Sequence, residues 1–256
     1  MKFDDLASKV VFVTGGARGI GFTIAKAMAR QGCSVGLLDL LPTVIDAAEL
    51  IHSEVGVKAA GCIVDVTDDV AVQAAFDELS ERIGVPQLLI TAAGITVWND
   101  SVNVPAAEWR RVLDVNLNGT FFAAQCFCRL LQRAGVPGTA VFVASMSGSI
   151  VNVPQNQASY NASKAAVSHL GKSLAVEWAP NGIRVNSISP GYILSDMTRQ
   201  FTDNNVELAA AWTARIPLGR MGTPDDLCGL VLFLSSDASS YITGQDIVID
   251  GGYTVV

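Results

Sequence analysis

The 256-residue sequence contains little of what several common kinds of protein require. It has only two histidines, His52 and His169, both isolated, which argues against a metal site. The 17 Lys and Arg residues are outnumbered by 24 Asp and Glu residues and form no basic run. This composition disfavours nucleic acid or an anionic membrane as a partner. No apolar stretch reaches the ~20 residues that a membrane-spanning helix needs.

Cysteine usage and the first residues favour a location inside the cell. The five cysteines are an odd number without a CxxC motif, which is typical of small buried side chains in a reducing compartment. The opening residues MKFDDLASK carry two acidic side chains and no apolar core, so they do not resemble a secretory signal. We therefore expect a cytoplasmic protein, and its net charge of −7 favours solubility.

Hydrophobic residues make up half of the chain and recur in short runs rich in β-branched side chains. Such runs begin near residues 10, 34, 57, 87, 139, 183 and 246, with segments of helical spacing between them, as at 21–32 and 68–84. Near-continuous apolar strands alternating with helices are typical of a parallel sheet covered on both faces. The sequence predicts an α/β protein, a single doubly wound Rossmann-type domain over residues 1–256 with a seven-stranded parallel sheet.

A glycine-rich loop follows the first predicted strand. In a doubly wound sheet, ligands bind beyond the carboxyl ends of the strands. The segment Thr14-Gly-Gly-Ala-Arg-Gly-Ile-Gly21 has G-x3-G-x-G spacing. Gly15 would permit a sharp turn, Gly19 the close approach of a pyrophosphate, and Gly21 the packing of the next helix on the strand. An ordinary tight strand-to-helix turn is the alternative interpretation of this loop alone.

Acidic residues end the next two predicted strands. Asp39, 18 residues after Gly21, can accept hydrogen bonds from both hydroxyls of a ribose. Its carboxylate would repel the 2′-phosphate of NADP, whereas Arg18 could pair with that phosphate. We give the carboxylate more weight and predict NAD as the cofactor. Asp65 and Val66 could cover the adenine edge, and Asp65 could equally serve as a helix cap or turn residue.

At this point the sequence resembles the short-chain dehydrogenase/reductase family over nearly its whole length. The resemblance is carried by the glycine loop with Asp39 and Asp65-Val66, Ala93-Gly94, Asn116 in DVNLNG, Ser147 placed 13 positions before Tyr160, the motif Tyr160-Asn-Ala-Ser-Lys164, and Pro190-Gly191. One departure is Thr91-Ala92-Ala93-Gly94, where the family usually has Asn-Asn-Ala-Gly. The missing asparagine affects the positioning of the cofactor edge and removes no proton-transferring group.

The resemblance implies a catalytic set of four residues. Tyr160 would be the general base in alcohol oxidation and the general acid in ketone reduction. Ser147 would hold the substrate oxygen for hydride transfer. Lys164 would reach the ribose hydroxyls of the nicotinamide half, and Asn116 would hold a water that links Lys164 to solvent.

The spacing of Tyr160 and Lys164 agrees with that chemistry, because residues four apart share one face of a helix. A free phenol has a pKa near ~10 and is a poor base at neutral pH. A cation ~4 Å away, at an effective dielectric of ~20, contributes about 4 kcal/mol, enough to bring that pKa to about 7. We therefore expect Lys164 to ionise the Tyr160 phenol.

The resemblance also implies where the cofactor lies. Its binding site would consist of residues from the loops after the strands, namely Gly15, Arg18, Gly19, Ile20, Gly21, Asp39, Asp65, Val66, Ala93, Gly94, Tyr160, Lys164, Pro190, Gly191 and Ile193. The stretch of about residues 191–217 shows little firm periodicity and is expected to form a lid over the substrate. Within it, Ser195 or Thr198 could contact the cofactor.

The segment 145–157 is unusually polar for a pocket that binds an apolar substrate. Besides Ser147 and Tyr160, it offers amides and hydroxyls that suit a polyhydroxylated chain, at Ser149, Asn152, Gln155 and Gln157. With the ending DGGYTVV, it resembles the sugar-alcohol and ketose branch of the family. These side chains could instead face solvent or stabilise the loop. The resulting hypothesis is NAD-dependent interconversion of a polyol and its ketose.

Two other functions remain open. One is reduction of a 3-oxoacyl thioester or another small ketone with NADPH, and Asp39 argues against it. The other is a nucleotide-binding scaffold without turnover, against which the complete catalytic set argues. The helix at about 157–178 and the apolar C-terminal strand and tail are the elements through which the family usually forms tetramers. Packing within the core of one subunit is the alternative interpretation of both elements, and we expect a homotetramer.

Overall fold

One parallel sheet organises the protein. In a computed structural model that describes residues 2–195, 198–199 and 205–256, the sheet contains seven strands in the order β3-β2-β1-β4-β5-β6-β7. They are β1 (Val10–Thr14), β2 (Ser34–Asp39), β3 (Ala59–Ile63), β4 (Leu88–Thr91), β5 (Gly138–Val143), β6 (Ile183–Pro190) and β7 (Asp246–Ile249). The order reverses between β1 and β4, where a doubly wound sheet opens a crevice. The predicted fold class is confirmed.

Helices cover both faces of the sheet. They are α1 (Gly19–Arg30), α2 (Val44–Val55), α3 (Asp69–Ile83), α4 (Ala106–Leu113), α5 (Gly119–Ala134), α6 (Ala158–Trp178), α7 (Val206–Ala214) and α8 (Pro224–Ser235). Local sequence sets several of their ends. The Asp68 side chain caps α3 by accepting the Ala71 N–H at 2.9 Å, and α2 ends at Gly56 with a left-handed φ of 81°. None of the helices in the described part of the chain is long and apolar enough to cross a membrane.

Alternation along the strands divides the core into two layers. Phe12 of β1 points to one face, where it meets Phe76 of α3 edge-on at 5.3 Å between ring centroids. Val11 and Val13 point to the other face, which α1, α2 and α8 cover. Because successive strand residues face opposite sides, one apolar strand serves both layers.

A third apolar cluster lies at the site of the predicted lid. It consists of Met146, Tyr192, Trp212, Ile216, Met221 and Tyr253. The predicted lid, at about residues 191–217, includes the helix α7 at residues 206–214, which the weak periodicity of this stretch did not indicate. Trp212 of α7 packs into the cluster and is only 2% exposed, so tertiary contact stabilises this short helix. Residues 196–197 and 200–204 of the predicted lid lie outside the described residues.

Candidate active site

The glycine loop has the close packing and the open space that a bound dinucleotide needs. Gly15 has a left-handed φ of 68°, and a Cβ there would lie 2.7 Å from the backbone nitrogen of Ala93. A Cβ at Gly21 would overlap the carbonyl oxygen of Gly15. A Cβ at Gly19, by contrast, would meet no atom within 4 Å. The loop is therefore tight toward the sheet and open at the N-terminus of α1, where backbone N–H groups favour phosphate.

Asp39 is fixed beside this loop. One carboxylate oxygen accepts the N–H of Ala17 at 3.0 Å, and the other accepts that of Leu41 at 3.0 Å. A carboxylate offers about four acceptor positions, so two remain for ribose hydroxyls. Among the other predicted loop residues, Arg18 is exposed just before α1 and Ile20 packs partly against the core. The residues present fit an adenine dinucleotide.

The third strand ends earlier than predicted. It stops at Ile63, so Asp65 and Val66 lie in the loop after β3 and do not end the strand. Asp65 Oδ1 accepts both the N–H and the hydroxyl of Thr67, at 2.9 and 2.8 Å, which is the turn role kept open above. Val66 is buried beneath Gly119, where a Cβ would come within 2.7 Å of it. These contacts fix the conformation of the loop after β3, and its place at the adenine edge stays a prediction.

Tyr160 and Lys164 share one face of α6, with the lysine Nζ 5.7 Å from the centre of the tyrosine ring. Lys164 is 5% exposed and donates a hydrogen bond to the Val143 carbonyl at 2.7 Å. Burial lowers the pKa of Lys164 to about 8. The predicted pair therefore exists, and its lysine is anchored at the end of β5.

The burial of Tyr160 opposes the ionisation expected from its neighbouring lysine. Burial raises the pKa of the Tyr160 phenol above its ordinary value, and a hydrogen bond with the Ser145 side chain lowers it by less. The physical reason is that the phenol is desolvated and the ammonium group of Lys164 is bonded to a carbonyl. The expectation from sequence included the attraction between the Lys164 cation and the phenolate, and it omitted the free energy needed to bury that phenolate.

The structure places Ser145, and not Ser147, against the Tyr160 hydroxyl. Ser145 lies two residues after β5, and its Oγ accepts the N–H of Ser147 at 3.1 Å, so its own proton can be donated to Tyr160. Ser147 lies in the 3-10 turn Met146–Gly148, and its hydroxyl donates to Asn152 Oδ1 at 2.5 Å. Ser145 is therefore the serine beside the Tyr160 hydroxyl, and the expected contact of Ser147 with a substrate oxygen stays a prediction.

Asn116 lies in a π-helical turn, Asp114–Asn118, and is fully buried. Its amide accepts the Ile95 N–H at 2.8 Å and donates to the Ile95 carbonyl at 3.0 Å and to Ser163 at 2.9 Å. A Cβ added to Gly94 would lie 3.4 Å from Asn116 Oδ1 and 3.6 Å from Lys164 Nζ. Asn116 thus holds the loop after β4 beside Lys164, and the water relay stays a prediction.

The chain after β6 closes the other side of the crevice. A Cβ at Gly191 would come within 2.6 Å of Asp250 Cβ, so only glycine lets the chain pass here after Pro190. Ile193 is buried and pairs with Gly222 in an isolated bridge. Thr198 lines the pocket described next, and its hydroxyl lies 3.5 Å from that of Ser195. Gly94 therefore lies beside Lys164, and Gly191 lines the same pocket as Tyr160.

A polar pocket opens beside Tyr160. Its lining residues are Thr96, Trp98, Met146, Ser147, Asn152, Gln155, Gln157, Tyr160, Gly191, Tyr192, Thr198 and Trp212. Three predicted substrate residues besides Tyr160, namely Ser147, Asn152 and Gln157, are among them. Ser149 is not, because it follows the 3-10 turn with its side chain exposed. The prediction for Ser149 is corrected accordingly.

The amides of the pocket form a connected network. Gln157 Nε2 donates to Asn152 Oδ1 at 3.2 Å, and Asn152 Nδ2 donates to the Tyr192 hydroxyl at 3.3 Å. Gln155 Nε2 donates to the same hydroxyl at 2.9 Å. These amides therefore stabilise the loop and also line the cavity, and their contact with a polyhydroxylated substrate stays a prediction.

Sequence reasoning missed Ser145 and the aromatic wall made by Trp98, Tyr192 and Trp212. Tyr192 directly follows Pro190-Gly191, and this position was the one available signal for the wall. Trp98 and Trp212 lie 114 positions apart, and no spacing rule connects them. Within the described ranges, no group of three or more His, Cys, Asp and Glu side chains could hold a metal ion.

Comparisons with known proteins agree with this geometry. A sequence model described as Enoyl-(Acyl carrier protein) reductase matches residues 15–254. Sorbose reductase SOU1 of Candida albicans is 40% identical over 252 residues, covering 97% of this chain and 88% of that protein. Galactitol 2-dehydrogenase (L-tagatose-forming) of Cereibacter sphaeroides is 41% identical over 244 residues, covering 95% and 94%. A probable NADP-dependent mannitol dehydrogenase of Yarrowia lipolytica is 39% identical over 251 residues, covering 97% and 88%.

A solved structure extends the likeness to the whole backbone. A short-chain type dehydrogenase/reductase from Mycobacterium marinum aligns with a TM-score of 0.89 at 41% identity, covering 99% of this chain and 98% of that one. The likeness therefore covers nearly the whole length of both chains.

Proposed function

Because the chain belongs to the short-chain dehydrogenase/reductase family, we propose that it interconverts a polyol and its ketose by hydride transfer, with NAD as cofactor. The observation that carries this proposal is a pocket lined by amides and hydroxyls beside the Tyr160 hydroxyl. Relatives named for sorbose, galactitol and mannitol support the same substrate class. A site built to hydrogen-bond hydroxyls discriminates strongly against analogues that lack them.

NAD is proposed because of the charges around the adenosine end. The Asp39 carboxylate is held in place by two backbone N–H groups, so it cannot easily turn away from a 2′-phosphate. The next two residues, Leu40 and Leu41, offer no cation to pair with that phosphate. Arg18 is the one nearby side chain in the loop that favours NADP, and it does not remove the repulsion from Asp39.

The bound nicotinamide supplies or accepts the hydride, and the protein's own groups manage the proton and the substrate oxygen. In alcohol oxidation, the Tyr160 phenolate takes the hydroxyl proton as the C–H bond gives up its hydride and the carbon–oxygen double bond forms. In ketone reduction, the phenol returns that proton to the oxygen. Ser145 donates a hydrogen bond at the same oxygen, in the role that the sequence assigned to Ser147.

Lys164 supports Tyr160 from the same helix face. The hydrogen bond from its Nζ to the Val143 carbonyl holds the ammonium group within reach of the phenolate that forms during the reaction. Tyr160 is protonated in the protein alone, since burial raises its pKa. We therefore propose that Tyr160 ionises only with oxidised nicotinamide bound, since the positive charge of that ring would favour the phenolate.

A substrate and cofactor matrix tests the function. Purified protein is assayed at the reduced-nicotinamide absorbance with NAD and NADP against D-mannitol, galactitol and D-arabinitol, and in reverse against sorbose and a 3-oxoacyl thioester. Turnover of polyols with NAD at higher kcat/KM than with NADP is expected. Turnover only of the thioester with NADPH would favour the reductase alternative. Cofactor binding without any turnover would favour a scaffold.

A pair of serine variants tests the assignment of the hydrogen-bond donor. Ser145→Ala should lower kcat by about 10²–10³, the usual effect of losing one donor at the reacting oxygen. Ser147→Ala is the matched control two residues away and should lower kcat less than about tenfold, because its hydroxyl bonds Asn152. A larger loss in Ser147→Ala than in Ser145→Ala would return the role to Ser147.

A further inference from the structure

Three buried polar atoms of the pocket are left without partners. Thr96 Oγ1, Gln155 Oε1 and Trp212 Nε1 make no hydrogen bond among the residues that the structure describes. All three residues line the cavity beside Tyr160. The hydroxyls and amides around them, including those of Ser147 and Gln157, are paired with one another. The three unpaired atoms thus differ from these neighbouring polar side chains, which have hydrogen-bond partners.

The indole N–H of Trp212 is the clearest of the three. Trp212 is 2% exposed, so bulk water does not satisfy its N–H. An indole nitrogen only donates, and no change of rotamer or protonation turns it into an acceptor. Leaving such a group buried and unpaired costs about 1–3 kcal/mol. A ligand group that accepts a hydrogen bond here would recover that energy.

Aromatic contacts fix the direction of this N–H. The Trp212 ring stacks on Tyr192 with centroids 4.2 Å apart and planes 14° from parallel. It meets Trp98 edge-on, with centroids 5.9 Å apart. Tyr192 is itself held by the amides of Asn152 and Gln155. The donor is therefore preorganised before substrate arrives, and binding need not order it.

We propose that the Trp212 indole N–H binds a substrate hydroxyl other than the one that reacts. The reacting oxygen is held elsewhere, by Tyr160 and Ser145. A hydroxyl accepts from Trp212 and still has a proton to donate, and Gln155 Oε1 and Thr96 Oγ1 are unpaired acceptors in the same cavity. Trp212 thus makes the enzyme specific for polyhydroxylated chains over simple secondary alcohols. This inference rests on the proposed polyol function and adds the residue that recognises the second hydroxyl.

The variant Trp212→Phe removes the N–H and keeps a ring that stacks on Tyr192. The polyol turned over best among D-mannitol, galactitol and D-arabinitol is compared with its monodeoxy analogues and with 2-butanol. In the wild type, one deoxy position should lower kcat/KM by about 10–100-fold. In Trp212→Phe that penalty should disappear at that position only, with KM for the parent polyol raised by the same factor. Turnover of 2-butanol should fall much less than turnover of the parent polyol.

Trp98→Phe is the matched control, since it alters the other tryptophan of the pocket and should leave the deoxy penalty in place. A deoxy penalty that persists in Trp212→Phe at every position would overturn the inference. An equal loss for polyol and 2-butanol would overturn it as well, because that pattern reports damage to the pocket.

A measurement on the unaltered protein covers the case in which Trp212→Phe folds poorly. The chain has four tryptophans, so ¹⁵N labelling of the indoles gives a simple ¹H–¹⁵N spectrum. Addition of polyol to the NADH-bound protein should shift one indole N–H signal strongly downfield, while 2-butanol should not. No shift on saturation with a polyol that is turned over would contradict the role of Trp212 and leave the function intact. No turnover of any polyol with either cofactor would instead refute the function.

Discussion

Replacing Lys164 with methionine should abolish turnover and, at the same time, stabilise the protein. Lys164 is buried, and its pKa is lowered from 10.5 to about 8, so the folded state holds its charge at an energetic cost. A methionine side chain at this position would fill the same space without a charge. A residue that is essential for the proposed chemistry is therefore also one that weakens the fold, as expected for a catalytic group in a desolvated site.

The size of the effect follows from the change in pKa. A lowering from 10.5 to about 8 corresponds to about 3 kcal/mol of unfavourable free energy in the protonated folded state. Losing the hydrogen bond to the Val143 carbonyl reduces the stability gained by the variant by about 1 kcal/mol. The net gain of about 2 kcal/mol at pH 7 should raise Tm by roughly 4–8 °C in a chain of this length.

The direction in which unfolding stability changes with pH shows whether Lys164→Met stabilises by removing a buried charge or by better packing. Between pH 8 and 10.5 the unfolded chain keeps the Lys164 proton that the folded protein has released, so wild-type stability gains relative to Lys164→Met as pH rises. The advantage of the variant should be full at pH 7 and small near pH 10.

Urea unfolding without nucleotide at both pH values, with the exposed Lys172→Met on the same helix as control, measures this difference. A variant less stable than wild type at pH 7, or an advantage that does not change with pH, would refute the reasoning.

Four further outcomes are expected. Gly19→Ala should weaken cofactor binding measured by nucleotide fluorescence and lower Tm by roughly 2–4 °C, because alanine is strained at a φ of 59° although its Cβ would meet no atom. Gly21→Ala should unfold readily, because its Cβ would overlap the Gly15 carbonyl. Asp39→Ser should raise kcat/KM with NADP relative to NAD by at least about tenfold, and an unchanged ratio would contradict the charge argument. Alcohol oxidation should accelerate with rising pH while ketone reduction slows, because Tyr160 acts as base in one and as acid in the other, and Tyr160→Phe should lose both. Sedimentation velocity should show a tetramer, and a stable monomer at assay concentration would contradict that expectation.

The two serines show what kind of information a sequence lacks. Ser145 and Ser147 are chemically identical and two residues apart, and spacing from Tyr160 favoured Ser147. The 3-10 turn Met146–Gly148 after β5 directs Ser147 toward Asn152 and leaves Ser145 beside the tyrosine. A count of positions along the chain cannot reveal this, because the loop between β5 and α6 bends in three dimensions.

The same distinction applies to charge. Four-residue spacing correctly placed Lys164 on the Tyr160 face of α6, since helix geometry is a local property. The pKa of Tyr160 is raised, whereas the sequence led us to expect a lowered pKa. The difference arises because this pKa depends on how completely neighbouring elements exclude water from the phenol.

The sequence by itself determined the sheet of seven parallel strands, the open glycine loop, the carboxylate beside it and the tyrosine–lysine pair. These features follow from rules that act over a few residues: apolar periodicity, the freedom of glycine and the pitch of a helix. Only the tertiary structure decided which serine meets Tyr160, that α7 forms, and that Trp212 stacks on Tyr192 with its N–H unpaired. Those outcomes depend on side chains far apart in sequence that compete for the same space and the same hydrogen bonds.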